Sequence, residues 1–387
     1  MSKHVSPLEL DVVRTITPQT QQVLQDMGLW ENGDVWTPSI MWELARGEDS
    51  DGVKMYEKIC FEQVILSVRK MAKGRIVPLM NEYVLALEGE GESREYVKDA
   101  FEYAMLFEQK TVLKKLVERF RKSMDLEEWG TVYDLMLEVL EGSLSEKGII
   151  RKSRDAVGHV YETVLKTRLE LLEMFAYERL GYPEKSVSLI DHLPEQFLRI
   201  KPGFTKSVLA SRAMLCIANS LLYVKGNIGQ AEKYYSNVLD NSMTPEAVRA
   251  YAHHGLALAT LYKEGGGLPH LEKAIDYAER LGLNDYRDRL KKNDYPFLRN
   301  VSGEQFDVEG VDVEEQIHQY VVRGECERAL VMIKELESQG RDTALLEYYK
   351  GKATKDKNVL AYALKRLEVE NQAFLLPLIK EEMGIPV

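Results

Sequence analysis

The chain has 387 residues, 45% of them hydrophobic and 29% charged, with a formal net charge of -11. That length and apolar share suffice for a large core, while the lack of an uninterrupted run of about 18 apolar residues argues against a membrane span. The three cysteines, Cys60, Cys216 and Cys326, lie far apart and read as buried reduced thiols, which excludes a disulfide framework or a thiolate metal cluster.

In chain order, residues 1 to 16 read as an arm. The opening Met1 to Asp11 lacks the basic and apolar regions of a secretory signal, so the expected location is cytoplasmic. Thr17-Pro18 can cap and start a first helix that runs to Gly28, and Thr37-Pro38 a second from Ser39 to Arg46. A longer helix follows from about Gly52 to Lys73, with an apolar stripe through Val53, Tyr56, Ile59, Cys60, Val64, Ile65 and Val68. Three helices in this span suit a helix-turn-helix DNA-binding domain over residues 1–75. A plain helical cap competes with that reading, because residues 1–60 hold five Lys or Arg against ten Asp or Glu, and DNA readers draw affinity from phosphate neutralisation.

Residues 76–387 read as helices throughout. Arg75 to Glu88 is followed by a Gly89-Glu-Gly-Glu loop, then by Ser93 to Lys110, Val112 to Ser123, Glu128 to Leu140 and a long segment from Arg151 to Leu180. The last is one packed scaffold helix or two with a break. Leu180-Gly181-Tyr-Pro183 marks a turn with proline in the next helix's first turn, and Lys201-Pro-Gly203 marks another connection. Ser211 to Gly282 then reads as two helix-turn-helix units. Tyr223 and Tyr262 stand 39 residues apart, and Glu232-Lys233 recurs 40 residues on as Glu272-Lys273. This is a tetratricopeptide-type pattern, somewhat longer than the usual period of about 34, in which Ala213, Ala218, Ala257 and Ala259 permit close helix packing. Thr244-Pro245 is expected to start the helix carrying His253-His254 through a threonine cap. Asn284 to Asp294 reads as a short helix, followed by irregular Tyr295-Pro296 and an irregular Val301 to Gly310 connection, and helices resume at Val313 to Val322, Glu327 to Ser338, Asp342 to Tyr349, Asn358 to Glu370 and Ala373 to Met383. The expected fold is therefore all-α, a helix-turn-helix-like domain followed by a right-handed tetratricopeptide-like solenoid.

No residue set carries an enzyme signal. Glu170, Glu173 and Glu178, like Asp285, Asp288 and Asp294, read as polar helix faces, and His253 and His254 point about 100 degrees apart, so they cannot easily share a metal. Neither a cofactor nor a metal is expected. Basic residues cluster at Arg69, Lys70, Lys73 and Arg75, at Lys110, Lys114, Lys115, Arg119, Arg121 and Lys122, and at Lys147, Arg151, Lys152 and Arg154. Each is a phosphate-binding surface or an ordinary solvated helix face. The last helix is unusually apolar at Leu375, Leu376, Leu378 and Ile379, and folding back or self-association would bury it.

Leu345-Leu-Glu-Tyr-Tyr-Lys-Gly351, Asp356-Lys357 and Phe374-Leu-Leu-Pro-Leu-Ile-Lys-Glu-Glu-Met-Gly384 resemble the end of the AimR arbitrium receptors of SPbeta-like Bacillus phages. A second similarity runs through Leu79 to Tyr83, Ala100 to Ala104 and Gly130 to Gly142. The resemblance implies a homodimeric, peptide-responsive transcription regulator in the host bacterial cytoplasm. Peptide-free, it would bind double-stranded operator DNA and activate a lysogeny-inhibiting locus, and a short phage-encoded peptide would stop it. It places peptide contacts at Asn219, Arg249, Asn293 and Asn371, with a departure at His254-Gly255-Leu256 that implies a different peptide or a changed set of contacts. Ser39 and Arg46 would reach bases or phosphates, with Lys70, Lys73 and Arg75, or the Lys110 to Lys122 cluster, on phosphates. Leu375, Leu378 and Ile379 would serve the dimer, and peptide binding would change the spacing of two DNA-binding heads. A helical-repeat adaptor that binds peptides and never contacts DNA is the alternative.

Overall fold

A computed structural model describes residues 61, 64–65, 76–85, 94–263 and 266–386. The expected helix-turn-helix, its boundary at residue 75, and Ser39, Arg46, Lys70, Lys73 and Arg75 lie outside the described residues. The chain divides into two compact units, Met1–Ala176 with Glu195–Leu209, and Tyr177–Pro194 with Ala210–Val387. The described elements are helical throughout, and their helix-on-helix packing is that of a tetratricopeptide-like array.

In the first unit, α1 (Ile76–Leu85), α2 (Arg94–Leu106), α3 (Lys110–Phe120) and α4 (Glu127–Leu140) pack around an aromatic centre. Phe101 lies 4.9 Å from Tyr133 and 6.3 Å from Phe120, and Trp129 stacks on Tyr133 at 5.6 Å. Gly130 sits where α4 meets the end of α3, and a Cβ there would lie 2.6 Å from the Arg121 Cα, so only glycine admits this approach. The Arg151 to Leu180 segment is two helices, α5 (Glu146–Val157) and α6 (Thr163–Arg179). The break follows Gly158 and is held from a distance. The Glu128 Oε2 accepts the backbone N–H groups of Tyr161 at 3.0 Å and Glu162 at 3.2 Å, satisfying donors beside the new helix start.

Two short helices, α7 (Val187–Ile190, after a 3-10 turn at Pro183–Ser186) and α8 (Leu193–Arg199), lead to α9 (Phe204–Asn219), which continues as a π-helical turn over Ser220–Val224. Phe204–Val224 has the length and apolar composition to cross a membrane. Its Val208, Ala213, Cys216, Ala218 and Leu222 are buried in the protein, as in a core helix.

The second unit carries the repeats. They run through α10 (Ile228–Asp240), α11 (Glu246–Ala259), α12 (Leu268–Arg280), α13 (Asn284–Arg289), a second π-helical turn at Leu290–Asp294, and α14 (Tyr295–Val301). After the expected irregular connection come α15 (Val313–Val322), α16 (Cys326–Ser338), α17 (Ala344–Thr354), α18 (Lys357–Val369), a 3-10 turn at Ala373–Leu375 and α19 (Leu376–Met383). Consecutive pairs pack closely, α10 on α11, α11 on α12 and α17 on α18. The alanines that were expected to allow this, Ala213, Ala218, Ala257 and Ala259, are all buried. Gly267 is closer still, since a Cβ on it would fall 1.9 Å from the Ala257 carbonyl oxygen.

One cap differs from the sequence expectation. Pro245, extended at φ -60° and ψ 148°, is the N-cap of α11, and no side chain caps it. The Thr244 hydroxyl instead donates 2.6 Å back to the Val238 carbonyl, closing the α10–α11 turn from the other side. The apolar C-terminal segment folds back within its own unit. Leu375 and Ile379 are buried, Leu378 is half-buried, and the Tyr262 hydroxyl donates to the Phe374 carbonyl at 2.7 Å.

Candidate functional site

The second unit contains an open groove of about 720 Å³, within the range typical of ligand pockets. Both π-helical turns supply its wall. A π turn inserts one residue into the helical repeat and re-aims the side chains that follow, and such turns concentrate at functional sites. The first turn begins after Asn219 and brings Tyr223 to the groove, where its ring meets Phe374 edge-on at 5.5 Å. The second carries Asn293 and Asp294.

Asn219 is held by partners on two other elements. Its Oδ1 accepts the Tyr235 hydroxyl at 2.8 Å, and its Nδ2 donates to the Glu178 Oε2 at 3.1 Å. Amide chemistry then leaves one N–H of Asn219 for a ligand carbonyl. Tyr235 reaches Asn219 because position 255 is glycine, since a Cβ at Gly255 would lie 2.2 Å from the tyrosine ring. The departure at His254-Gly255-Leu256 thus has a structural role beneath the groove wall.

Burial pushes the Glu178 carboxyl up to about 7, while hydrogen bonds from Asn219 and the Cys216 thiol oppose the rise. A raised carboxyl pKa means that the folded chain favours the protonated form. Its contribution to stability is present below the ordinary value of 4.5 and is lost as pH rises through about 7. Glu178→Gln is therefore expected to flatten the pH dependence of the unfolding midpoint across that window, measured by thermal denaturation. A slope unchanged from wild type would contradict this origin.

His254 binds the second π turn, with Nε2 3.1 Å from the Asp294 Oδ1 and Nδ1 3.2 Å from the Tyr286 hydroxyl. The tautomer that satisfies both donates from Nε2 and accepts at Nδ1. His253 faces away, its Nδ1 3.1 Å from that of His270, so the adjacent histidines diverge as expected. Burial and the neighbouring His270 lower the His253 pKa to about 4. Among the described residues, no group of three or more His, Cys, Asp or Glu is placed to hold a metal.

The far side of the groove comes from the turn after α18. Asn371 adopts a left-handed backbone at φ 55°, a conformation that asparagine tolerates better than most residues, and its Nδ2 donates 2.9 Å to the Glu184 Oε2. Backbone and side-chain roles separate by substitution. Asn371→Gly is expected to keep stability while weakening ligand binding, whereas Asn371→Ala should also lower stability by about 1 kcal/mol through strain. Equal ligand affinity for Asn371→Gly and wild type, by calorimetric titration, would remove the side chain from the site.

Beneath these residues lies a buried polar network. Glu315 accepts from the Tyr349 hydroxyl at 2.8 Å and the Asn300 Nδ2 at 2.9 Å, with the His318 Nδ1 at 3.3 Å. Gln319 Nε2 donates to the Asn300 Oδ1 at 2.6 Å, and His318 stacks on Tyr349 at 4.3 Å.

The structure thus gathers Asn219, Asn293 and Asn371 at one groove, with Leu375 at its edge. Arg249 is elsewhere. Its guanidinium donates to the carbonyls of Thr244 at 3.2 Å, Leu239 at 2.7 Å and Asn241 at 2.7 Å, closing the C-terminal end of α10. Glu178 and Asp294, which read as polar helix faces, line the groove, as do Tyr223, Arg289 and Arg341. Carboxyl groups dominate it, with Glu178, Asp294, Asp312, Glu314, Glu315 and Glu370 set against Arg289 and Arg341. A smaller cavity of about 540 Å³ in the first unit, walled by Tyr96, Trp129 and Phe204, holds none of the residues expected from sequence.

Comparison with known proteins gives one family and one fold. A family model described as AimR transcriptional regulator-like matches residues 76–383. Among solved structures, the selenomethionine form of phAimR superposes with a TM-score of 0.64 at 18% identity, covering 94% of this chain and 96% of that one. A structure described as phAimR-Ligand gives 0.60 at 19% identity, covering 85% and 98%. No curated protein matches the sequence.

Proposed function

The chain belongs to the AimR transcriptional regulator-like family, non-catalytic regulators that respond to peptides and control the phage lysis-lysogeny decision, and from that premise we propose how its parts divide the work. The groove of the second unit is the peptide site. What carries this reading is the convergence of Asn219, Asn293 and Asn371, distant in sequence, on one groove. Asn219 offers its remaining N–H to a peptide carbonyl, Asn293 and Asn371 hold other main-chain or polar groups, and Asp294 and Asp312, which no Lys or Arg pairs among the described residues, favour a peptide bearing a cationic side chain. A relative solved as phAimR-Ligand accords with ligand binding on this fold.

In this proposal residues 1–75 bind double-stranded operator DNA through Ser39, Arg46, Lys70, Lys73 and Arg75, and the chain acts as a homodimer in the host cytoplasm. Leu378, half-buried on α19, offers surface to a second copy, with Leu375 and Ile379 anchoring the helix beneath it. Peptide lowers operator affinity only as far as it binds the released state more tightly than the DNA-bound one. Duplex DNA from the region upstream of the encoding gene tests this, with and without candidate short peptides encoded immediately downstream. The expected result is binding by the peptide-free chain and release by one of the peptides. Absence of both binding and response would overturn the proposal.

A further inference from the structure

We propose that the exposed face of α3 is a contact surface for the phosphodiester backbone of duplex DNA, separate from the residues expected to read bases. The inference rests on the DNA-binding reading above and adds a site to it. α3 buries Val112, Leu113, Leu116, Val117 and Phe120 on one side. At 100° per residue its other side carries Lys110, Lys114, Lys115 and Arg119, and Arg121 and Lys122 extend the same arc just beyond the helix end. Glu118 is the single acid between Lys110 and Lys122, in a chain whose net charge is -11. So dense a cationic face on an acidic protein is a local reversal of the average field.

Internal pairing does not account for the four lysines of this face. Arg121 pairs with Asp134 at 2.7 Å, but Lys110, Lys114, Lys115 and Lys122 make no ion pair among the described residues. The cluster on α5 differs, because there Lys152 is held by Glu138 at 2.5 Å and Arg154 by Glu173 at 2.7 Å. The exposed positions of α3 itself also include no apolar side chain. Protein interfaces bury an apolar or aromatic centre and are depleted in lysine, so this face suits a polyanion better than a protein partner. Its 11 residues span roughly 16 Å, enough to run past several phosphates of one strand. Lysines there neutralise charge without reading sequence.

The test is the salt dependence of binding by the full chain to two fluorescent duplexes, one from the upstream region and one of scrambled sequence. The variant Lys110→Gln, Lys114→Gln, Lys115→Gln and Lys122→Gln removes four charges, and the matching quadruple Lys→Arg variant keeps them. We expect the magnitude of the slope of log affinity against log salt to fall by about 3.6 in the glutamine variant. The ratio of specific to scrambled affinity should stay the same, and the arginine variant should keep the wild-type slope. Operator binding with the wild-type slope in the glutamine variant would overturn the α3 site while leaving the regulatory reading standing. Failure of the wild-type chain to bind either duplex would overturn both.

Discussion

Replacing Glu315 with alanine is expected to destabilise the second unit by about 3–5 kcal/mol, the range for removing one partner of a buried polar cluster. Glu315 is 4% exposed, and its two oxygens satisfy Tyr349 and Asn300, with His318 alongside. Truncation would orphan these buried donors together and open a void below the groove. Burial, then the charge of Glu315, raises the Tyr349 hydroxyl pKa well above its ordinary range, so the phenol stays a neutral donor. Glu315→Gln keeps an acceptor for Tyr349 but turns a donor toward another group, and about 1–3 kcal/mol is expected. The midpoint of urea unfolding, with amide exchange in α17 as the local readout, checks both values. A loss under about 1 kcal/mol for the alanine variant would show that the network relaxes or that water replaces the carboxyl group.

Asn219→Ala is expected to weaken peptide binding about 30-fold or more, equivalent to roughly 2 kcal/mol. The substitution removes the N–H offered to the ligand, strands the Tyr235 hydroxyl and leaves the Glu178 carboxyl with the Cys216 thiol but without its amide donor. Asn219→Asp should be worse, because it sets a second carboxyl group against Glu178. DNA binding without peptide should persist in both variants, which separates a groove defect from unfolding. Arg249→Ala should behave in the opposite way, lowering stability through the lost α10 closure while leaving peptide affinity near wild type. Calorimetric titration of each variant distinguishes the two patterns.

Helices were legible in this chain wherever apolar periodicity was strong and turn residues were plain. The repeat between Ser211 and Gly282, the turn at Pro183 and the irregular Val301 to Gly310 connection stand where the sequence places them, whereas Tyr295-Pro296, expected to be irregular, opens α14, with the proline in its first turn. A break before α6 was one of two readings, and its position was not legible because it depends on Glu128, more than 30 residues earlier. The π turns escaped for a related reason, since one extra residue in a repeat barely changes a hydrophobic pattern but redirects Tyr223 and Asn293. Asn219, Asn293 and Asn371 were found by resemblance, and their convergence is a tertiary fact. Arg249 had the chemistry of a ligand clamp, but three carbonyls within reach of its own turn claimed it first. Glu178 and Asp294 read as solvated acids because nothing in sequence reports the burial that raises the Glu178 pKa, or the histidine facing Asp294.

The most direct measurement is a crystal structure of the full chain grown with the short peptide that releases it from DNA. The predicted result is a peptide seated in the groove, with a main-chain carbonyl in hydrogen-bonding reach of the Asn219 Nδ2 and a cationic side chain beside Asp294 and Asp312. A peptide bound outside the groove, or in the groove with no contact to Asn219, Asn293 or Asn371, would contradict the account.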